Sequence, residues 1–233
     1  MARPRSYDDT LRAALLEEAA RTIAEGGVEG LVMRRLAASV GTSTSAIYSL
    51  FGGKPALIEA VVDQAVDSLT ASMRGVAPSS DPQGDLLAIG TAYRSWALDH
   101  RDLYAVMFGS QMVPVPGRET TVQSLMQIGL GPLVASLTRL REQGRLREAD
   151  LFTVAGSLWS SMHGIVDLEH GILAHLLPVP TRDAIFRAHM AAMTRGWVLD
   201  PDASEARTAE PESGVDGAGV DSARVDGASA SSR

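Results

Sequence analysis

The stretch from residue 31 to residue 54 has the pattern of two short helices joined by a tight turn. Apolar residues recur at helical spacing over 33–40, which predicts an amphipathic helix. Gly41 supplies the backbone freedom that a turn requires, and the hydroxyl residues after it can cap a following helix. That second helix, predicted over 44–51, turns Ile47 inward and leaves an uncharged face of hydrogen-bonding side chains. Such a face suits the major groove of DNA, so the stretch predicts a helix-turn-helix.

Two short helices around a glycine also occur in bundles that do not bind DNA, so the residues that follow the turn are informative. The chain resembles the TetR family of one-component transcriptional regulators in the run AASVGTSTSAIYSLFGGKPALIEAV. The pattern of that family is an alanine-rich helix, a glycine, several small residues, a Leu-Tyr or Ile-Tyr pair, and then Phe and Lys. The resemblance extends from Tyr7 to about Met73 and implies a dimeric DNA-binding regulator.

The resemblance also implies which side chains contact DNA. Thr44 and Ser45 begin the second helix and are expected at base edges, whereas Tyr48 and Lys54 are expected on phosphates. Val32 departs from the family, which usually has a Thr or Ser helix cap at this place, and Leu50 replaces a residue that is often His. The complete set of expected DNA contacts is Arg34, Thr42, Ser43, Thr44, Ser45, Tyr48, Ser49 and Lys54.

The rest of the chain predicts an all-α protein of about nine helices, because no alternating strand pattern occurs in it. The chain has no cysteine, which excludes disulfides and thiolate metal sites and favours a reducing, cytoplasmic setting. No apolar run reaches the roughly 18 residues that a membrane span needs, so no membrane association is expected. A GxSxG elbow, a P-loop and a strand-linked GxGxxG are all missing, so the chain is not expected to be an enzyme.

Composition and charge divide the chain into three predicted parts. Residues 1–53 form the DNA-binding domain, with an N-terminal arm in which Arg3 and Arg5 either reach the minor groove or are simply solvated. Residues 54–200 form a helical effector-binding and dimerisation domain. Residues 201–233 hold seven acidic residues and three arginines and no aromatic residue, so we expect a disordered acidic tail. The tail supplies more than half of the net charge of −7, whereas residues 1–60 are neutral.

A second resemblance lies in the C-terminal part. The segments AYRSWALDHRDLYAVMFG, over 92–109, and SLWSSMHGIVDLE, over 157–169, are similar to the WHG-type ligand-binding domain of a TetR subfamily. The resemblance implies an effector pocket for a lipophilic or aromatic small molecule, although any single lining residue is better explained as filling the core. Arg94, next to the candidate pocket residue Tyr93, could orient a polar end of the ligand or lie on the surface. The candidate pocket residues are Tyr93, Trp96, Met107, Phe108, Leu125, Trp159, Met162 and His163.

A metal site is a weaker alternative for the same region. His163, Asp167 and His170 are spaced so that all three lie on one helical face, and their side chains are good ligands for divalent metals. The WHG motif already accounts for His163, however, and metal sites need further supporting groups. We therefore predict no metal and no cofactor.

Two amphipathic helices, 150–174 and 181–199, are expected to form a homodimer through a four-helix seam. The first has the apolar stripe Leu151, Val154, Ala155, Leu158 and Met162, and the second offers Ile185, Ala188, Met193 and Trp197. A two-fold dimer implies a palindromic double-stranded DNA operator, from which a small-molecule effector would release a repressor. An all-α interaction or ligand-binding protein that has lost specific DNA binding is the alternative.

Overall fold

The computed structural model of the protein describes residues 5–109 and 120–199, with side chains described over 8–109 and 130–199. The tail over 201–233, Arg3 and the side chains of Arg5 and Leu125 therefore lie outside the described residues. The helices of the described part are α1 (Arg5–Gly30), α2 (Met33–Ser39), α3 (Thr44–Phe51), α4 (Lys54–Arg74), α5 (Pro82–Asp99), α6 (Arg101–Phe108), α7 (Thr120–Glu142), α8 (Leu151–His170), α9 (Ile172–Leu176) and α10 (Val179–Trp197).

The all-α prediction is confirmed, since the described ranges contain ten helices and one isolated antiparallel bridge, Leu146 with Val198. The tenth helix arises because Gly171 interrupts the helix that was predicted to run over 150–174. Helix α7 continues through Pro132, so this proline does not divide it. Helical backbone begins at Arg5, at the first described residue.

The first three helices enclose their own apolar centre. Leu15 and Ile23 on α1 and Ile47 on α3 are fully buried, and Leu36 on α2 is nearly so. At Gly27 the backbone of α1 leaves helical geometry with a φ of 65°, a value that favours glycine. Gly27 thus interrupts α1 before the chain turns into α2.

The N-terminal helices and the C-terminal helices share one continuous core. Helix α4 packs against α1 and also against α5, α6 and α7, while α6 packs against α1 and α4. Leu57, Val61 and Ala65 of α4 are fully buried within this contact. Helices α8 and α10 pack against each other and against α5. A movement of α6 would consequently also displace α1 and α4, the two helices that precede and follow the helix-turn-helix in the chain.

Candidate DNA-binding surface and effector region

The turn between α2 and α3 has the geometry of a helix-turn-helix. Gly41 takes a φ of 71°, the left-handed conformation that residues with a Cβ rarely adopt. The Ser43 hydroxyl caps α3 by accepting a hydrogen bond from the Ala46 backbone N–H over 3.2 Å. Gly52, with a φ of 82°, ends α3. The helix is therefore held at both ends by local interactions, independently of any contact with DNA.

The side chains expected on DNA lie at or near the surface around α3. Ile47 is fully buried, whereas Tyr48, the next residue, is 53% exposed. Arg34, Ser43, Ser45 and Ser49 are also exposed. The remaining expected contacts, which are half-buried, are Thr42, Thr44 and Lys54. The predicted residues are thus exposed or half-buried, with hydroxyl groups on α3 and positive charges at Arg34 on α2 and Lys54 at the start of α4.

The N-terminus of α2 lacks a side-chain cap. Val32 occupies the N-cap position, makes no side-chain hydrogen bond and is 40% exposed. A Thr or Ser here would accept a hydrogen bond from the first turn of the helix, and its absence costs about 1 kcal/mol by analogy with other caps. The departure from the family pattern at Val32 therefore also removes a stabilising N-cap hydrogen bond.

Four stacked rings lie between α6 and α8, and we call Trp159, His163, Tyr104 and His170 the aromatic ladder. The ring centroids of Trp159 and His163 are 4.8 Å apart, those of His163 and Tyr104 are 5.6 Å apart, and those of Tyr104 and His170 are 4.3 Å apart. Phe108 approaches the His163 ring edge-on at 4.9 Å. Trp159, His163, Phe108 and His170 are half-buried and Tyr104 is buried, so both ends of the ladder reach the surface.

The polar atoms of the aromatic ladder are joined to α5. The Tyr93 hydroxyl lies 2.7 Å from Nδ1 of His163, and the Tyr104 hydroxyl lies 3.4 Å from the same nitrogen. Burial lowers the pKa of His163, although the charge of Asp167 partly opposes this, and burial raises the pKa of both tyrosines. Histidine and tyrosine rings are thus uncharged at neutral pH. Neutral, planar and partly exposed rings favour aromatic or lipophilic ligands.

Some predicted pocket residues lie elsewhere. Trp96 donates a hydrogen bond of 2.9 Å from Nε1 to the Ser68 hydroxyl on α4, and its ring stacks on His100. Met162 is fully buried and its sulfur faces α5 near Gly90, while Met107 is buried within α6. Of the eight candidates, the structure brings together Tyr93, Phe108, Trp159 and His163.

The Arg94 side chain forms ion pairs with Glu169 and Asp183. Its guanidinium binds Glu169 through two hydrogen bonds, Nε to Oε2 at 2.5 Å and Nη2 to Oε1 at 2.8 Å. Nη2 also donates to Asp183 over 2.8 Å, and the guanidinium lies 5.1 Å from the Phe186 ring centroid. The Glu169 side chain is 1% exposed. Arg94 therefore joins α5, α8 and α10, and a role in orienting a ligand is not supported.

Sequence reasoning missed two members of the aromatic ladder. Tyr104 lies one turn before Phe108 on α6, a spacing that could have indicated a shared aromatic face. The sequence pattern indicates His170 only as a possible metal ligand. Among the described residues no group of three or more His, Cys, Asp or Glu could hold a metal ion. The hydrogen bond between His163 and Tyr93 and the stacking of His170 on Tyr104 account for the two histidines instead.

The expected dimer stripe on α8 is wrong, since Val154, Ala155, Leu158 and Met162 are all buried within the protomer. Spacing cannot distinguish the face toward the protomer's own core from the face toward a partner. A different line of residues on α8, one turn apart from each other, lies outward, and we call it the α8 ridge. It comprises Phe152, Gly156, Ser160, Gly164 and Leu168. Phe152 and Leu168 are 56% and 49% exposed, and a Cβ added at either glycine would meet nothing within 4 Å.

No helix in the described ranges is long and apolar enough to cross a membrane. The aromatic ladder and the helix-turn-helix both lie within the single compact unit formed by residues up to Leu199.

Two family models match the chain. The model of bacterial regulatory proteins of the tetR family matches residues 15–61, and that of the tetracyclin repressor-like C-terminal domain matches residues 86–193. An HTH-type transcriptional regulator of Mycobacterium tuberculosis is 27% identical over 116 residues. The aligned region is 48% of this chain and 48% of that regulator, so the chain spans about half the length of the curated relatives it matches.

Solved structures share the fold over most of their length. A protein of unknown function from Rhodococcus sp. RHA1 is 28% identical, with a TM-score of 0.66, and the match covers 81% of this chain and 96% of that chain. The TetR family transcriptional regulator PfmR from Thermus thermophilus is 23% identical, with a TM-score of 0.63 and coverage of 78% and 97%. Members of this family are non-enzymatic regulators, in agreement with the prediction that the chain is not an enzyme. From the two domain matches, the shared fold and the geometry of the helix-turn-helix, the chain belongs to the TetR family of transcriptional regulators.

Proposed function

We propose that the protein is a homodimeric, ligand-responsive repressor that binds a palindromic operator through α3. The observation that carries this proposal is the exposed hydroxyl face of α3, which is capped at both ends and lies opposite the buried Ile47. Thr44 and Ser45 would contact base edges in the major groove. Tyr48 and Lys54 would hold phosphates and set the register of the helix. Because operator DNA lies in the bacterial cytoplasm, the regulator would act there.

The α8 ridge supports a two-fold dimer. Phe152 and Leu168 are equally far along the helix from Ser160, so an antiparallel pair of α8 helices crossing at Ser160 would place each Phe152 beside Leu168 of the partner subunit. Gly156 and Gly164 would allow the two backbones to approach closely. Helix α10 adds a similar exposed line of small residues beside it, formed by Ala184, Ala188, Ala192 and Gly196. Two helices from each subunit would then form a four-helix seam.

The effector would bind at the Trp159 end of the aromatic ladder, against Trp159 and Phe108. Uncharged rings there favour a lipophilic or aromatic small molecule. Tyr104 of α6 is stacked between His163 and His170 of α8, and α6 packs on α1 and α4. A ligand that separates the ladder rings would displace α6 and with it the spacing of the two α3 helices. A coupling of about 1–3 kcal/mol would weaken operator binding by roughly 5–150-fold.

Selection of operator sequences from random duplex DNA by the full-length protein tests the proposal. We expect an enriched palindrome with half-sites about one helical turn apart. Tyr48→Ala should weaken binding to that palindrome by at least about tenfold with an unchanged thermal unfolding curve. Tyr48→Phe is the matched control, because it removes only the hydroxyl and retains the ring. Its loss of affinity, which should be smaller than that of Tyr48→Ala, measures the phosphate contact of the hydroxyl.

Failure to enrich any sequence from folded, dimeric protein would contradict the proposal. That result would favour the alternative of an all-α ligand-binding protein that has lost specific DNA binding, for which the uncapped N-terminus of α2 at Val32 is the supporting observation.

A further inference from the structure

Lysine occurs once in the sequence, at Lys54, although the chain has 21 basic residues, and all the others are arginine. Arginine binds phosphate at least as well as lysine does, because its planar guanidinium donates two parallel hydrogen bonds. A requirement for positive charge alone would therefore be met by arginine at position 54, as it is elsewhere in the chain. A lysine at this one position indicates a property that a guanidinium lacks, and an amine differs from it in being a target of acylation.

Lys54 lies where the helix-turn-helix joins α4. It is the first residue of α4 and comes two residues after Gly52, which ends α3 with a φ of 82°. A Cβ placed on the intervening Gly53 would lie 3.8 Å from Cε1 of the Tyr48 ring. The Tyr48 ring thus lies against the backbone directly before Lys54. The two residues that are proposed to hold operator phosphate therefore meet at one turn between α3 and α4.

The charged side chains of this part of the sequence are all positive. Between residues 31 and 58 they are Arg34, Arg35 and Lys54, and no carboxylate occurs. Both arginines are exposed. Lys54 is half-buried and forms no ion pair with another described residue. No described carboxylate therefore holds the amine, which can act on an anion that approaches the turn.

Stabilisation of α4 does not explain the position of Lys54. The partial positive charge at a helix N-terminus favours anions there and disfavours cations. The N-cap residue of α4 is Gly53, so this end of the helix has no side-chain cap either. A lysine in the first turn consequently contributes to anion binding and not to the stability of the helix. Removal of its charge should leave the protein folded.

We propose that Lys54 is an acylation site, modified by an acyl phosphate, and that the modification weakens DNA binding. The groups that would hold operator phosphate, Tyr48 and the helix terminus, would equally hold the phosphate group of the donor beside the Lys54 amine. Nζ, in its unprotonated form, attacks the acyl carbon, and a C–N bond forms. The bond between the acyl carbon and the phosphate oxygen breaks, and inorganic phosphate leaves with the electron pair. The nitrogen then loses a proton to water.

The product is a neutral amide, which cannot pair with a phosphate. Each subunit of the dimer would lose one phosphate contact, so acylation would be a second input to the regulator, separate from the effector region. This inference rests on the proposed phosphate contact of Lys54. Because phosphate contacts carry no base information, the loss of affinity should extend to duplex DNA of any sequence.

Treatment of the full-length protein with acetyl phosphate, followed by mass spectrometry of the intact protein and of its peptides, tests the modification itself. We expect acetylation of Lys54 in the folded protein. The matched control is Lys54→Arg, which keeps the positive charge and lacks the amine. Acetylation at any other group, including the N-terminal amine, would occur in both proteins, so a difference between them isolates Lys54.

Binding to a duplex of random sequence at several salt concentrations measures the consequence and does not require a known operator. Acetylated protein should bind about tenfold more weakly than untreated protein. The slope of log K against log salt concentration should become less steep by about 0.9 for each phosphate contact that is lost, which purely structural damage would not produce. Treatment of Lys54→Arg should change its own affinity by less than about twofold. Acetylated and untreated protein should unfold at the same temperature.

The proposal is overturned if acetyl phosphate leaves Lys54 unmodified, if the acetylated protein binds duplex DNA as tightly as untreated protein, or if treatment weakens binding by Lys54→Arg to the same extent. Failure of the proposed repressor function has a different signature. Operator selection would then enrich no sequence, whereas the acetylation of Lys54 and its effect on binding to random-sequence DNA would be measured as before.

Discussion

The Tyr93 hydroxyl on α5 lies 2.7 Å from Nδ1 of His163 on α8, so one hydrogen bond links two helices that are far apart in sequence. Tyr93 is fully buried and His163 is half-buried. Tyr104 of α6 approaches the same nitrogen at 3.4 Å. Three helices therefore meet at a single imidazole, and any change in that ring affects all of them.

Tyr93→Phe removes this hydrogen bond and retains the buried ring. We expect a loss of about 1 kcal/mol in the free energy of unfolding, because the His163 nitrogen loses its closest partner. Urea unfolding followed by circular dichroism measures the change. A larger loss is expected for the double variant Tyr93→Phe with Tyr104→Phe, which removes both hydroxyls. Equal stability of the double variant and wild type would contradict the role of this network.

Stability should fall as the pH is lowered from about 7 to 5, in part because of His163. Burial holds the pKa of His163 in the folded protein below its ordinary value of 6.5. Within this window the unfolded chain binds more protons than the folded chain, so acidification favours unfolding. His163→Gln keeps a polar side chain that does not titrate, and the slope of unfolding free energy against pH should decrease. An unchanged slope would show that other groups dominate this window.

Glu169→Gln should destabilise the protein by about 3–5 kcal/mol, because it leaves the Arg94 guanidinium buried with incomplete compensation. The Arg94 side chain is 11% exposed and that of Glu169 is 1% exposed, so solvent cannot replace the lost charge. Chemical unfolding at neutral pH gives the measurement.

The matched control for Glu169→Gln is Arg94→Leu with Glu169→Met, which replaces both charges by apolar groups. Apolar replacement of a buried ion pair is often close to neutral. The double variant should therefore be more stable than Glu169→Gln alone. A double variant that is the less stable of the two would mean that the ion pair itself contributes strongly.

Ser160→Lys tests the α8 ridge by placing a long charged side chain at its centre. We expect a folded monomer in light scattering coupled to size-exclusion chromatography, since two lysines would face each other across the two-fold axis. Ser95→Lys on α5 is the control, because Ser95 is also exposed but lies outside the ridge. A Ser160→Lys dimer as tight as wild type would place the interface elsewhere.

The helix-turn-helix could be predicted in detail because its determinants are local. Gly41 at a left-handed turn, Ser43 at a helix cap and Ile47 on an inward face depend on neighbours within one or two turns. The aromatic ladder could be predicted only in part. The WHG motif indicated Trp159 and His163, but the stacking of Tyr104 between two histidines depends on how α6 is placed against α8.

Similar reasons explain the errors. The α8 stripe over 151–162 has the correct helical spacing, but both a core-facing stripe and a partner-facing stripe have that spacing. Trp96 is on the same helix as Tyr93, yet it faces Ser68 on α4 instead of the ladder. Arg94 is hydrophilic in sequence and is nevertheless enclosed by Glu169 and Asp183.

The sequence alone predicts the all-α class, the position of the helix-turn-helix and the surface of α3 that DNA would contact. These features are predictable because helix periodicity, caps and glycine turns act over a few residues. Tertiary structure determined the partners of Arg94, the joining of three helices at His163 and the outward direction of the α8 ridge. Each of these depends on side chains brought together from distant helices by burial of apolar surface, and burial selects the packed arrangement of the whole chain.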